Sequence, residues 1–406
     1  MIDAPVAFQR RIKPSVLTAV QLAVRNDGAR ETLDWVYEIP GELLADASGS
    51  HGIDHAVVEW LQHVAPGHEA METISRRNKE AAQFNLRALM ALRNAMRALE
   101  AADIPSVAVK GPVLATLAER KCRSYNDVDM LVAPKHFKST LSILTDTGAT
   151  LFPIGGWKHF YDMKHAQLPL VLPMNVSLDL HWHLCSRPAM RRTWNIASVD
   201  ELLERCEPLA TACGPIQVLE RNDMLIHTAG HAAWSGGDRL GWLLDVDAVV
   251  KAGSIDWDTV VQRSREWGLQ AQVADILSRA KSTVGSGVPD EVVESLRGGG
   301  VGLAFRWSDR FQSTSGERPS RSLARMVRLD ARKGLGSTLG ALSKRLAAAA
   351  SRRLLGLSTD AEPVIQPITA SDVEWREPYF RFVVTGKAPR FGRQRLPMGR
   401  AHSERT

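Results

Sequence analysis

Asp127 and Asp129 are separated by one residue, and their side chains and spacing are those of a possible metal site. They lie in the run Asp127-Val-Asp-Met-Leu-Val132, whose composition predicts a buried β-strand. Because strand side chains alternate between two faces, both carboxylates share one face and Val128 takes the other. Adjacent carboxylates repel each other, which raises the pKa of at least one unless a cation neutralises them. Mg²⁺ prefers such oxygen ligands, although an Asp-x-Asp pair is also common in surface turns.

A second polar face is predicted about fifty residues later, in the run from Val176 to Leu184. Alternation places Leu178, Leu180, Trp182 and Leu184 on one face and Asp179, His181, His183 and Cys185 on the other. The polar face predicts a lined cleft; the alternative is a solvent-exposed edge strand. A zinc site of His181, His183 and Cys185 is disfavoured, because positions on one strand are too nearly collinear to close a tetrahedron.

A turn suited to phosphate, Lys110-Gly111, joins a short predicted strand at 106–109 to a predicted helix at 113–119. The N-terminus of a helix offers free N–H groups, and glycine lets a ligand approach the backbone closely. Lys110 adds a positive charge for a phosphoryl oxygen. The alternative is a plain turn with an exposed lysine.

The elements that position these residues indicate an α+β protein with a small mixed β-sheet core between helical regions. Apolar residues recur at helical spacing before Pro105, and helical patterns return from about Val199. We expect four regions: an N-terminal helical region (1–102), an α/β core (103–198), a helical domain closing the cleft (199–298) and a basic, partly helical region (299–406).

The composition is that of a globular protein. The chain has 406 residues, of which 44% are hydrophobic and 24% charged, and it contains no apolar run of the roughly 18–20 residues that a membrane span requires. Its first residues lack the apolar core of a secretory signal, and its four cysteines are irregularly spaced. A cytoplasmic location is therefore expected.

Positive charge is concentrated near the C-terminus. Residues 301–406 carry 20 Lys and Arg against 9 Asp and Glu, whereas the whole chain has a net charge of only +6. A solvated helical face explains such basicity, and a nucleic-acid or anionic-membrane contact is the alternative.

Taken together, these motifs resemble those of the uncharacterised bacterial nucleotidyltransferases of the DNA polymerase β-like superfamily. The resemblance covers roughly residues 55–255. It is carried by Ala101-Ala-Asp-Ile-Pro105, Val107-Ala-Val-Lys-Gly111, Arg123, Asp127 to Val132, Asp179-Leu-His-Trp-His-Leu184, Asp223 to His227, His231 and Leu240 to Asp245.

The resemblance implies a metal-dependent enzyme that moves a nucleoside monophosphate from a triphosphate such as ATP to an acceptor hydroxyl. Asp127, Asp129 and Asp179 would be the catalytic and metal-binding residues, with two Mg²⁺ ions. Lys110, Gly111 and Arg123 would bind the nucleotide. The Lys-Gly element stands where the wider superfamily has a Gly-Ser turn. The acceptor is left open among small molecules, peptides and proteins.

The sequence leaves two other functions open. One is a catalytically inactive fold that binds a nucleotide or a partner, and the other is an RNA-directed nucleotidyltransferase that uses the basic C-terminal region. His227 and His231 share a helix face without the glutamate of a metalloprotease motif, so we expect them to pack within the helical domain. Asp245 and Asp247 are expected either to face the cleft or to be structural.

Overall fold

The structure is a computed structural model that describes residues 14–25, 32–118, 123–151, 156–237, 239–297 and 370–387. These ranges contain sixteen α-helices and a seven-stranded mixed sheet, so the fold is α+β, as the sequence predicts. None of the helices in the described ranges has the length and apolarity needed to cross a bilayer. Most of the basic C-terminal region lies outside these ranges, and its nucleic-acid contact stays a prediction.

Five helices precede the sheet. They are α1 (Pro14–Arg25), α2 (Asp34–Tyr37), α3 (Gly41–His51), α4 (Asp54–Val64) and the long α5 (Ala70–Glu100). Most of the apolar residues at helical spacing in α5 face the core: Leu89, Leu92, Met96 and Leu99 are buried, whereas Leu86 is 53% exposed. Burying one such leucine contributes roughly 1.5–3 kcal/mol, so this face holds α5 against α3, α4 and the sheet. The helix ends just before Ile104-Pro105, where proline disfavours helical backbone.

A compact central unit follows, built of β1 (Ser106–Val109), α6 (Gly111–Leu117), β2 (Asp127–Val132) and α7 (Phe137–Asp146). Both strands and α6 lie where the sequence predicts them. Pro112 occupies the first turn of α6, where its missing N–H costs nothing. A single 3₁₀ turn at Pro134–His136 precedes α7.

The sheet is larger than the four strands that the sequence predicts, at 106–109, 127–132, 168–172 and 176–184. It also contains β3 (Thr150–Leu151), β6 (Glu207–Leu209) and β7 (Ile216–Val218), besides β4 (Gln167–Leu172) and β5 (Val176–His181), in the order β3-β4-β5-β2-β1-β7-β6. β2 pairs parallel with β5 and antiparallel with β1. The helical pattern predicted from Val199 onward is therefore wrong at β6 and β7. Strands of three residues are too short to show a period of two.

Helices surround this sheet. They are α8 (Gly156–Met163), α9 (Pro188–Thr193), α10 (Val199–Glu204), α11 (Arg221–Trp234), α12 (Leu240–Lys251), α13 (Trp257–Glu266), α14 (Gln270–Val284) and α15 (Asp290–Arg297). α14 packs against α11, α12 and α15, while α12 also contacts α6 and so lies beside the central unit.

The last described helix, α16 (Ala370–Thr385), packs mainly on α8. Its Tyr379 is fully buried, with its ring centroid 5.5 Å from that of Trp157 and 5.9 Å from that of Phe137. Trp182 Nε1 lies 3.5 Å from Tyr379 Oη. A helix far along the chain thus joins the aromatic core beside β5.

Candidate active site

The three predicted carboxylates lie on two neighbouring parallel strands. Asp127 and Asp129 belong to β2, and Asp179 belongs to β5. The pairing register sets Asp129 directly opposite Asp179, with Asp127 opposite Ser177. Since opposite residues in a sheet project from the same face, the two-residue alternation along each strand brings all three side chains to one face.

Lys110 reaches this face from the turn between β1 and α6. Its Nζ donates to Asp129 Oδ1 at 2.9 Å. The backbone of Lys110 has a φ of 54°, a left-handed value that costs energy for a residue with a Cβ. Gly111 follows, and a Cβ there would lie 3.1 Å from the Asp127 carbonyl oxygen. The close approach of this turn to β2 therefore depends on glycine.

Two further side chains complete the cluster. His181 Nε2 lies 2.9 Å from Asp129 Oδ1, and Gln167 Nε2 donates to Asp179 Oδ2 at 2.7 Å. The sequence interpretation places His181 in a cleft but does not single out Gln167. Only the pairing of β4 with β5 could have indicated Gln167. It sets Gln167 opposite His181, and hence on the same face of the sheet as the carboxylates.

The carboxylates influence one another's protonation. Burial, reinforced by the charges of Asp129 and Asp179, raises the pKa of Asp127 to about 6. Burial also raises the pKa of Asp179. For Asp129 burial acts in the same direction, but Lys110 and His181 outweigh it and hold its pKa well below the usual range. The site therefore carries negative charge that its own bases do not fully neutralise.

This donor set fits a divalent cation. Within the described residues, one group of three or more potential ligands has all its ligand atoms within 4.8 Å of one another, and it consists of Asp129, Asp179 and His181. Asp127 lies outside that group but within electrostatic reach of it. Carboxylate oxygens beside uncompensated negative charge suit a hard cation such as Mg²⁺ or Mn²⁺.

Arg123, the predicted phosphate contact, forms an ion pair with Asp245. Its Nε and Nη2 donate to the two carboxylate oxygens of Asp245 on α12, each at 2.6 Å. Its Nη1 also lies 3.4 Å from the Gly111 carbonyl oxygen. This bidentate pair links α12 to the Lys110-Gly111 turn. It also gives Asp245 a structural partner.

The histidines of α11 lie near the site as well as in the helical domain. His227 is buried and its Nε2 has no hydrogen-bond partner among the described residues. Burial and the charge of Lys110 hold the pKa of His227 well below its usual value and lower that of His231 to about 3. Both imidazoles are therefore neutral at pH 7, and the sequence interpretation underestimated how near they lie to the carboxylates.

The strand predicted from Val176 to Leu184 is shorter in the structure, where β5 ends at His181 and does not include His183 and Cys185. Instead, His183 Nδ1 accepts a hydrogen bond from the Cys185 backbone N–H at 3.0 Å. Among the described residues, neither side chain belongs to a cluster of metal ligands, in keeping with the disfavoured zinc interpretation.

Sequence comparison identifies the class to which this fold and site belong. The profile of a family described as uncharacterised nucleotidyltransferase matches residues 42–285, more than half of the chain. The protein belongs to this nucleotidyltransferase family. No curated protein sequence matches the chain.

One solved structure gives a weaker likeness. It is the solution structure of the antibiotic-resistance factor ANT(2'')-Ia, described as showing substrate-regulated conformation dynamics. The match has 12% identity and a TM-score of 0.28, and it covers 56% of this chain and 96% of that one. At this TM-score the likeness adds nothing about the site.

Proposed function

We propose that the protein transfers a nucleoside monophosphate from a nucleoside triphosphate to a hydroxyl group of a small molecule, peptide or protein. The observation that carries the proposal is the register of β2 and β5. It sets Asp129 opposite Asp179, beside Asp127 and within reach of Lys110. Family membership supplies the reaction class, and this cluster supplies the groups that such a reaction needs.

Asp127, Asp129 and Asp179 would hold the divalent cations. The family resemblance implies two such ions. Bound there, such cations would offset the charge of the triphosphate oxygens and of the attacking oxygen. Asp127 lies at the start of β2 and is the least buried of the β2 carboxylates, which suits contact with the incoming nucleotide. Burial, together with the charges of Asp129 and Asp179, raises its pKa, and a bound cation would offset both effects.

Lys110 and Gly111 would receive the phosphates. The Lys110 ammonium is held by Asp129 and lies beside all three carboxylates, so it can share its N–H donors with a phosphoryl oxygen. Gly111 keeps the backbone of this turn open to a ligand. We assign Arg123 a positioning role, because its bidentate pair with Asp245 and its contact with the Gly111 carbonyl hold the turn in place.

Asp179 would orient the acceptor hydroxyl and take its proton. Burial raises the pKa of Asp179, and Gln167 fixes one of its two oxygens, leaving the other for the acceptor or a cation. The acceptor oxygen then bonds to the α-phosphorus as the bond to the bridging oxygen breaks, and pyrophosphate leaves with that electron pair. Positioning and electrostatics supply most of the rate in such a reaction.

The proposal is tested by incubating the purified protein with cell lysate, a divalent cation and either α-labelled or γ-labelled triphosphates. We expect the α-label to enter an acceptor and the γ-label to leave as pyrophosphate. Asp129→Asn should reduce α-label transfer by more than about a hundredfold, since the buried carboxylate at the centre of the cluster is lost. Asp200→Asn, which alters an exposed aspartate, is the matched control.

Two results would contradict the proposal. Undiminished transfer by folded Asp129→Asn protein would show that this cluster does not perform the reaction. Transfer of the γ-label would indicate a phosphotransferase instead. Calorimetric binding of Mg²⁺-ATP without label transfer to any acceptor would favour the inactive, nucleotide-binding alternative.

A further inference from the structure

His181 is a buried member of the cluster around Asp129. The side chain lies at the end of β5 and is 4% exposed. Its Nε2 faces Asp129 Oδ1 at 2.9 Å, whereas its Nδ1 is buried without a hydrogen-bond partner among the described residues. Nδ1 has no partner among these residues whichever role Nε2 has, so only the distances from Nε2 to its neighbours bear on that role.

The spacing of the donor atoms matches a shared cation. In an octahedral site with bonds of about 2.1 Å, adjacent ligand atoms lie about 3.0 Å apart. His181 Nε2 and Asp129 Oδ1 have nearly this separation, and an Asp179 oxygen lies within 4.8 Å of both. The His181 and Asp129 donors therefore have the separation of neighbouring corners of one coordination sphere, and a small movement of the Asp179 side chain would add a third donor.

The tautomer of His181 decides which role Nε2 has. With the proton on Nε2, the imidazole simply donates to Asp129. With the proton on Nδ1, the Nε2 lone pair faces a carboxylate oxygen, and two acceptors at 2.9 Å require a cation between them. The second arrangement also uses the neutral imidazole in its usual metal-binding form.

We infer that His181 is a direct nitrogen ligand of the cation that Asp129 and Asp179 hold, and that this nitrogen makes the site favour Mn²⁺ over Mg²⁺. The inference rests on the proposed function only in requiring a cation at this cluster. Mg²⁺ is bound mainly through oxygen, whereas first-row transition metals accept imidazole readily. Two carboxylates beside one imidazole keep the site hard enough for Mn²⁺.

Electron spin-echo spectroscopy of the full chain with bound Mn²⁺ tests the inference without reference to activity. We expect the wild-type spectrum to show hyperfine coupling to a ¹⁴N nucleus. Protein grown with ¹⁵N-histidine should replace that signal by one from ¹⁵N. Coupling that persists unchanged after ¹⁵N-histidine labelling would mean that the nitrogen is not histidine, which overturns the inference.

Variants assign the signal to one residue. His181→Gln should lose the coupling and bind Mn²⁺ at least about tenfold more weakly, with a smaller change for Mg²⁺ measured by competition. His181→Asp, which restores an oxygen ligand, should bind without nitrogen coupling and shift the preference towards Mg²⁺. His183→Gln is the matched control, because His183 lies two residues away and outside the cluster. It should keep the wild-type signal.

The remaining outcomes separate the inference from the proposed function. Mn²⁺ bound without nitrogen coupling, or coupling that survives in either folded His181 variant, overturns the inference while nucleotide transfer can still be observed. Absence of Mn²⁺ binding, with or without a nucleoside triphosphate, overturns it as well. Nitrogen coupling in a protein that transfers no label supports the inference and contradicts the proposed function.

Discussion

Asp129 and Asp223 are both buried aspartates that accept hydrogen bonds from basic side chains, yet their surroundings differ in charge. Asp223, on α11, pairs with Arg205 and, at 2.9 Å, with Arg263. Arg263 also pairs with Glu220 at 2.6 Å, so two carboxylates face two guanidinium groups. The charges of this cluster match.

The cluster around Asp129 is not matched. Three carboxylates, Asp127, Asp129 and Asp179, meet one lysine and one histidine, so negative charge is in excess even if His181 is protonated. A matched cluster needs no further ion, whereas an unmatched one stores repulsion that a bound cation relieves. The comparison explains how equally buried aspartates can stabilise the fold in one place and suit the proposed cation binding in the other.

The largest expected effect on stability distinguishes the two clusters directly. Asp223→Asn should lower the free energy of unfolding by about 3–4 kcal/mol, because two arginines lose their common buried partner. Asp127→Asn should instead raise it at pH 7, because the variant removes a charge that burial and the charges of Asp129 and Asp179 disfavour. Urea unfolding in the presence of a chelator measures both. Equal losses in the two variants would erase the distinction.

The next effect concerns pH and Asp127. Because its folded-state pKa of about 6 exceeds the unfolded value near 3.8, its protonation stabilises the fold fully below about pH 4. That stabilisation is lost as the pH rises through 6, and it amounts to about 2–3 kcal/mol after allowance for partial exposure.

Asp127→Asn removes this dependence. The difference in unfolding free energy between the variant and the wild type should rise by the same amount between pH 4 and 7, measured without divalent cations. Taking the difference cancels the contributions of His183 and His231 to the pH dependence. Burial lowers the pKa values of these two histidines, so their contributions to stability rise with pH, opposite to that of Asp127. A difference that is flat with pH would show that Asp127 is not destabilised in the cluster.

The smallest effect is expected at an exposed pair that serves as a reference for both clusters. Lys135 Nζ and Asp200 Oδ1 are 2.7 Å apart, but their side chains are 61% and 51% exposed. Lys135→Met should alter the free energy of unfolding by less than about 1 kcal/mol, since water screens the pair. Thermal or urea unfolding checks this value. A larger loss would mean that burial is not what separates strong pairs from weak ones here.

Local patterns account for what the sequence predicts correctly. The strands at Ser106–Val109 and Asp127–Val132 and the helix from Ala70 to Glu100 have clear periods, and their bounds agree with the predictions to within about two residues. The shared face of Asp127 and Asp129 follows from the strand period alone. The pairing of β2 with β5 does not, and only the family resemblance placed Asp179 beside that pair.

Contacts between distant segments are what the sequence leaves out. Arg123 and Asp245 are 122 residues apart, and nothing local in either segment indicates their pairing. The nearness of His227 to the carboxylates depends on how α11 packs. The end of β5 at His181 is likewise set by tertiary packing, since the alternation in the sequence continues to Leu184.

The packing of α16 has a consequence for the order in which the protein is made. A ribosome completes every strand of the sheet by residue 218, but the helix that buries Trp157 and contacts Trp182 ends at Thr385. Until then, the aromatic surface next to β5 lacks the cover that α16 provides. The nascent protein therefore exposes this surface at least until residue 385 has been made, a stage at which chaperones bind and aggregation competes with folding.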